Sequence, residues 1–293
     1  MTKSWDAIVI GGGAAGLFCA GVAGQLGKKV LVLDHADVLC EKIRISGGGR
    51  CNFTNLHSSP ANFLSLNPNF VKSALARYPA REFIKLVQSY RIAYHEKHQG
   101  QLFCDDSAKQ IIEMLLGECA KGGVDIRHPV TVESISNEAG AWIVKTSAGT
   151  ERSKSIVMAT GGLPVPAIGA TAYSLDIAKQ FGLKVVDPRP ALVPLSFTSG
   201  EFDNLIELSG LSLPVRIASG SKGHRYGACR FNEDLLLTHK GLSGPAVLQA
   251  SSYWAEGEEY TLIGLVPWRP MGALPAMSYS ITRITASNLL KIS

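Results

Sequence analysis

Apolar and polar blocks alternate along the first thirty residues in a recognisable order. "AIVI" (7–10) is a short β-branched run between Asp6 and a glycine cluster, which predicts a buried strand over 6–10. The small-residue stretch 14–27 predicts a helix stopped at Gly27, and "KKVLVLD" (28–34) predicts a second strand ending in Asp34. Strand, glycine turn, helix and strand make a βαβ unit, a connection that is parallel and almost always right-handed. From 68 to 121 the pattern reads as mostly helical. Phe83, Ile84, Leu86 and Val87 share one face, as do Ile111, Ile112, Leu115 and Leu116 after a cap at Asp106–Ser107. Four short strands are expected at 124–128, 130–135, 141–146 and 155–160, joined by "NEAG" and "SAGTERSK" as turns of hairpin size. The last strand runs into Gly161–Gly162. A helix over 172–182 follows, then a proline-punctuated linker near 190, and β-like sequence beyond it.

With 293 residues and 46% hydrophobic content, the chain has room for two domains with substantial cores. Net charge is +5, but no Asp or Glu follows Glu259, whereas Arg269, Arg283 and Lys291 do. The preceding residues hold 26 basic against 24 acidic side chains, a balance that argues against a nucleic-acid footprint. The six cysteines (19, 40, 51, 104, 119 and 229) lack metal-ligand spacing, so no metal is expected and reduced thiols of a cytoplasmic protein are. The uncharged stretch 7–27 is interrupted by glycines and its apolar run is strand-like. Phe18 before Cys19 also argues against a lipoprotein cleavage site, so neither a leader nor a membrane span is expected.

Chemistry concentrates in two loops. Gly11-x-Gly13-x-x-Gly16 sits between strand and helix, with Asp34 eighteen residues further on. In a dinucleotide site Gly11 makes the tight turn, Gly13 lets backbone approach a pyrophosphate, and Gly16 lets helix and strand pack. The helix N-terminus favours phosphate charge, and Asp34 can accept from a ribose diol. Both NAD and FAD satisfy that description. The second loop, "KIRISGGGRCNFTN" (42–55), separates them. Gly47, Gly48 and Gly49 can turn backbone N–H groups toward a ligand, Lys42 and Arg50 add charge, and Asn52 and Asn55 add amides. A wrapping loop suits a retained flavin better than an exchanging nicotinamide.

"DAIVIGGGAAGL", "ISGGGRCNFTN", "IVMATGGLP" and "LTHKGLSGPAVLQAS" together resemble the bacterial BaiN/YhiN-type flavoproteins, the aminoacetone oxidase family of FAD-binding enzymes. The resemblance covers about residues 5–267. It implies an α/β fold: a Rossmann-like FAD-binding domain of the two-dinucleotide-binding-domain type, carrying an inserted β-rich domain. The implied boundaries are 1–190 for FAD binding, 191–267 for an incomplete β-rich substrate domain and 268–293 for an aberrant tail. It also implies that Ala15 joins the first loop, that Gly47–Asn52, including Cys51, run along the pyrophosphate toward the flavin, and that Thr160 and Gly161 lie near FAD. Val132 becomes a backbone contact to adenine.

The resulting expectation is an FAD-dependent oxidoreductase on a small organic substrate, by amine oxidation or enone reduction, with no nucleic-acid or membrane partner. NAD(P)H is left open as electron donor. A non-catalytic flavin-binding remnant and an RNA-modifying flavoprotein are the alternatives. His239 in "LTHKGLSGP" is the candidate catalytic residue, as a group that could position a proton. The stretch 268–293 has no acid and no glycine-rich motif, so C-terminal truncation and weak FAD retention are expected.

Overall fold

The computed structural model describes residues 4–197, 207–219 and 226–253, with the backbone of 261–263, 284–285 and 290–292. It divides into two units. The first comprises Met1–Pro60 and Val71–Val186, the second Ala61–Phe70 and Asp187–Ser293.

In chain order the first unit holds β1 (Ser4–Ile10), α1 (Ala14–Gln25), β2 (Val30–Leu33), α2 (Glu41–Ile45), β3 (Asn52–Asn55), α3 (Lys72–Arg77), α4 (Ala80–Ser89), β4 (Tyr94–Glu96) and β5 (Gln101–Cys104). There follow α5 (Lys109–Lys121), β6 (Asp125–Arg127), β7 (Val132–Glu138), β8 (Ala141–Thr146), β9 (Gly149–Met158) and α6 (Tyr173–Gln180). Its main sheet is mixed, in the order β6-β2-β1-β9-β8-β7. β6, β2, β1 and β9 run parallel, and β7, β8 and β9 form an antiparallel meander. The strands are apolar because both faces are covered: Ile8, Val9, Val30, Leu31, Val32 and Leu33 are all buried.

Small residues let α1 lie close to α5. A Cβ on Gly24 would stand 2.6 Å from the Gly122 carbonyl oxygen, and one on Gly21 would stand 3.2 Å from the Glu118 backbone. A polar clasp sits beside this contact. Glu118 accepts from Tyr90 Oη at 2.6 Å, Lys121 Nζ at 2.7 Å and Gln25 Nε2 at 2.9 Å.

The structure departs from the sequence pattern in two places. Between α4 and α5 the chain forms a β4–β5 hairpin, which joins β3 in a three-stranded antiparallel sheet. Strands of three or four residues are too short to show a period of two, and aromatic packing holds them instead: Phe53 meets Phe83 of α4 at 6.2 Å and Tyr94 at 5.5 Å. The expected loop "SAGTERSK" is mostly strand, because β8 turns into β9 at Thr146–Gly149. β9 is therefore ten residues long. It pairs with β8 over Gly149–Ser153 and with β1 over Arg152–Met158. On the side away from β1, Ser155–Met158 faces no described strand.

The second unit is built on a seven-stranded sheet. Its elements are β10 (Leu195–Phe197), β11 (Ser212–Ser219), β12 (Cys229–Thr238), β13 (Gly241–Ser243), α7 (Pro245–Ser251), β14 (Thr261–Ile263), β15 (Ile284–Thr285) and β16 (Leu290–Ile292). Leu195, Val215, Ile217, Leu235, Leu237 and Val247 fill its core. Apart from the backbone of β15 and β16, the stretch 268–293 lies outside the described residues.

Candidate dinucleotide site

The first glycine loop leads from β1 to α1 with the division of labour that its spacing suggests. A Cβ on Gly16 would come within 1.8 Å of the Gly11 carbonyl oxygen, so Gly16 is fixed by packing and stays out of the groove. Gly13 differs: it is the N-cap of α1, with φ −86° and ψ −170°, and a Cβ there would meet nothing within 4 Å. The space beside it is room for a ligand. No side chain caps α1, and Ala14 and Ala15 are exposed, so the free N–H groups of the first turn face outward as an anion seat.

Two cavities meet at this turn. The larger one, about 530 Å³, is lined by Gly11, Gly13, Ala15, Asp34, Lys42 and Thr160, together with Gly161 and Ser174. The second, about 170 Å³, is lined by Asp34, His35, Val130, Val132, Thr160 and Tyr173. Asp34 borders both, and its position is pinned. Oδ2 accepts from Gly12 N at 2.5 Å and Oδ1 from Ala36 N at 2.8 Å. Each oxygen keeps further acceptor capacity for a ribose hydroxyl. Lys42 reaches across the groove to donate to the Gly162 carbonyl at 3.3 Å, which places its ammonium beside Gly161.

These features fit the ADP half of a dinucleotide. An uncapped helix start and a lysine face the pyrophosphate position, a pinned carboxylate faces the ribose position, and a small apolar cavity suits a base. Tyr173 adds a further sign: its buried hydroxyl has no hydrogen-bond partner, although it lines the small cavity.

In the second loop Gly47, Gly48 and Gly49 have φ of +58°, +66° and +85°, a left-handed run that glycine adopts without strain. A Cβ on Gly47 would lie 2.7 Å from the Phe103 ring, so β5 supports the loop from beneath. The three glycines and Arg50 line none of these cavities. The loop's flanks line a third, of about 490 Å³: Lys42, Ser46, Cys51 and Asn52 against Phe18, Phe53 and Phe83. Asn55 is engaged elsewhere, donating to the Gln99 carbonyl at 3.0 Å and accepting from His57 N at 2.8 Å. Cys51 is buried, and burial pushes its thiol above the ordinary range, as it pushes Cys40 up to about 11. These are packing thiols, poorly suited to thiolate chemistry.

His239 lies in the second unit, exposed on the turn between β12 and β13. It borders none of these cavities. The motif around it has a packing explanation, since a Cβ on Gly241 would fall 2.1 Å from the Leu195 carbonyl oxygen. Thr238 Oγ1 both donates to the Gly241 carbonyl at 3.0 Å and accepts from its N–H at 3.1 Å.

Sequence reasoning missed His35, just after β2, and Ile168, Gly169, Ala170, Thr171 and Tyr173, which close the cavities from the segment between β9 and α6. Thr160 and Ser174 join their hydroxyls across this loop's base. Among the described residues no helix is long and apolar enough to cross a membrane, and no cluster of three or more His, Cys, Asp or Glu could hold a metal ion.

Fold and groove define a Rossmann-type dinucleotide-binding protein. Residues 5–273 match the HI0933-like protein Rossmann domain, and the chain belongs to that family, whose members are FAD-dependent oxidoreductases. It is 47% identical over 265 residues to a ribosomal RNA dihydrouridine synthase of Escherichia coli (strain K12), covering 90% of this chain and 64% of that protein. Identity is 49% over 272 residues to a protein of the same name from Haemophilus influenzae, covering 91% and 66%. A 3-dehydro-bile acid delta(4,6)-reductase of Clostridium scindens is 24% identical over 252 residues, covering 85% and 60%. The chain thus spans 64–66% of the length of the two ribosomal RNA relatives.

These findings correct two expectations. The relatives at 47% and 49% identity are named for dihydrouridine synthesis rather than aminoacetone oxidation. Their named substrate is ribosomal RNA, which overturns the expectation of a small-molecule substrate and no nucleic-acid partner. The basic surplus, balanced over the whole chain, is local. Lys42–Cys104 alone holds nine Lys and Arg against two Glu.

Proposed function

We propose that this chain acts in FAD-dependent reduction of uridine to dihydrouridine in ribosomal RNA. The observation that carries the reading is 47–49% identity to two proteins of that name, extending over nine-tenths of the chain. The chemistry is coherent with the third relative, whose name also denotes reduction of carbon–carbon double bonds. In uracil the C5=C6 bond is conjugated to the C4 carbonyl, so a hydride added at C6 and a proton at C5 saturate it. FAD supplies the hydride when bound. With NAD(P)H as the reductant, uracil, NAD(P)H and a proton would give dihydrouracil and NAD(P)⁺.

In this reading the chain's own residues hold and shield. The first turn of α1 and Lys42 neutralise the pyrophosphate, Asp34 fixes the ribose, and Val132 and Tyr173 flank adenine. The target base leaves its stack to reach the redox centre, which ribosomal RNA permits most readily in a loop. Such a substrate places the protein in the cytoplasm.

The test is direct. Purified chain, FAD and NADPH are incubated with ribosomal RNA transcribed in vitro, and digested nucleosides are analysed by mass. A uridine heavier by two hydrogens is expected at a defined position. Flavin-loaded protein that leaves every uridine unreduced, while reducing a small conjugated enone, would replace this reading with that of a small-molecule reductase.

A further inference from the structure

The first unit concentrates its positive charge. Lys42–Cys104 has a net charge of +7 from nine Lys and Arg and two Glu, against +5 for the whole chain, so the remaining residues sum to −2. Residues 61–70, which belong to the second unit, carry none of it. Both acids are engaged within the segment. Glu82 pairs with Lys85 at 3.0 Å and Arg81 at 3.4 Å, and Glu96 accepts from Gly100 N at 2.9 Å. Arg50, Lys72, Arg77, Arg91 and Lys97 are exposed, and none has a carboxylate partner among the described residues. Lys97 instead lies 5.3 Å from the centre of the Phe103 ring. Elsewhere in the unit three cations are matched, Arg127 with Asp125 and Glu151, Lys154 with Asp6, and Lys121 with Glu118, and there the acids offset the basic residues in number.

We propose that the surface of this segment is the RNA-docking surface of the protein. Exposed cations without acid partners are stabilised by a polyanion, and phosphates spaced along a strand supply that charge. The segment also contains Lys42, which lines the dinucleotide groove. RNA held by α3, the Arg91 turn and the Lys97 hairpin would thus be anchored by the same stretch of chain that borders the groove. The inference rests on the proposed function for its choice of polyanion.

The experiment neutralises four of these cations in one chain: Lys72→Gln, Arg77→Gln, Arg91→Gln and Lys97→Gln. None lines the groove. Binding of a fluorescein-labelled RNA stem–loop with a uridine-rich loop is followed by anisotropy across a salt series. Each cation withdrawn from an RNA phosphate should flatten the slope of log affinity against log salt by about 0.7, so about 3 for all four. FAD titration and melting temperature should be unchanged. The pair Arg77→Gln and Arg91→Gln alone, expected to flatten the slope by about 1.4, covers the case in which the fourfold variant fails to fold. Lys121→Gln with Lys154→Gln, removing paired cations elsewhere, should leave the slope as in wild type. The proposal is overturned if the neutralised variants keep wild-type affinity and slope, if the control pair loses as much, or if vesicles rich in phosphatidylglycerol bind more tightly than the RNA. Salt-sensitive RNA binding through these residues without any dihydrouridine product would sink the proposed reaction and leave the docking surface standing.

Discussion

Gly13→Glu separates holding a dinucleotide from holding the fold. The backbone at Gly13 is extended, with φ −86°, and a Cβ there meets no atom within 4 Å. Losing glycine at an N-cap costs about 1 kcal/mol at most. The unliganded protein should therefore fold and melt close to wild type. Bound pyrophosphate changes the balance, because a new carboxylate sits where backbone now faces its charge. Two unit charges about 4 Å apart interact by about 4 kcal/mol at an effective dielectric near 20. Allowing for screening by water at this open groove, about 2–3 kcal/mol remains, or roughly 30- to 140-fold in affinity. Titration of FAD by quenching of its fluorescence, alongside thermal melts by circular dichroism, reads both quantities. Gly13→Ala, which adds bulk without charge, should fall between the two. A folded Gly13→Glu protein that binds FAD within about threefold of wild type would mean that the pyrophosphate lies elsewhere.

Gly16→Ala should do the opposite. Its Cβ would fall 1.8 Å from the Gly11 carbonyl oxygen, so urea denaturation should show a loss of about 1–3 kcal/mol or more even without cofactor. Asp34→Ala removes an acceptor that pins two backbone N–H groups as well as facing the ribose position. It should weaken FAD by about 1.5–3 kcal/mol in a direct titration, and Asp34→Asn, which keeps one oxygen, should lose less. Glu118 gives a pH signature. Desolvation by burial raises its pKa, but hydrogen bonds from Lys121, Tyr90 and Gln25 outweigh that and lower it from 4.5 to about 2. A depressed carboxylate contributes stability above its unfolded pKa and loses it as pH falls through the folded one. The advantage of wild type over Glu118→Gln in chemical denaturation should therefore be full above about pH 5 and shrink toward about pH 2.

What the sequence made legible was local in origin. β1, α1 and β2 are contiguous, their periods are clear, and the jobs of Gly13, Gly16 and Asp34 follow from a single turn. The groove's far wall was not legible in the same way. His35 and the 168–173 segment approach through the path of a loop whose conformation the tertiary structure sets, and neither has a repeating pattern. The β4–β5 hairpin escaped notice because Tyr94–Glu96 and Gln101–Cys104 are too short to show a period. Cys51 and Cys104 stand far apart in sequence, yet pairing of β3 with β5 sets Cys104 N donating to the Arg50 carbonyl at 2.9 Å, one residue from Cys51. Charge was readable all along, but only within a window the size of the segment that carries it.

The side of β9 that faces no described strand has a thermodynamic meaning. Beyond Ser153 its backbone groups meet β1 on one side and no described strand on the other, and Ile156, Val157 and Met158 are only half buried. Directly after Met158 the chain becomes Ala159–Gly161, part of the groove wall. An extended peptide laid along Ser155–Met158 and a dinucleotide seated over Thr160 would thus order adjoining pieces of one backbone. To the extent that either narrows the conformations open to 159–161, it strengthens the other, and linkage makes the factor the same in both directions. The cofactor and a peptide paired along that edge are, in that sense, two ligands of a single stretch of chain.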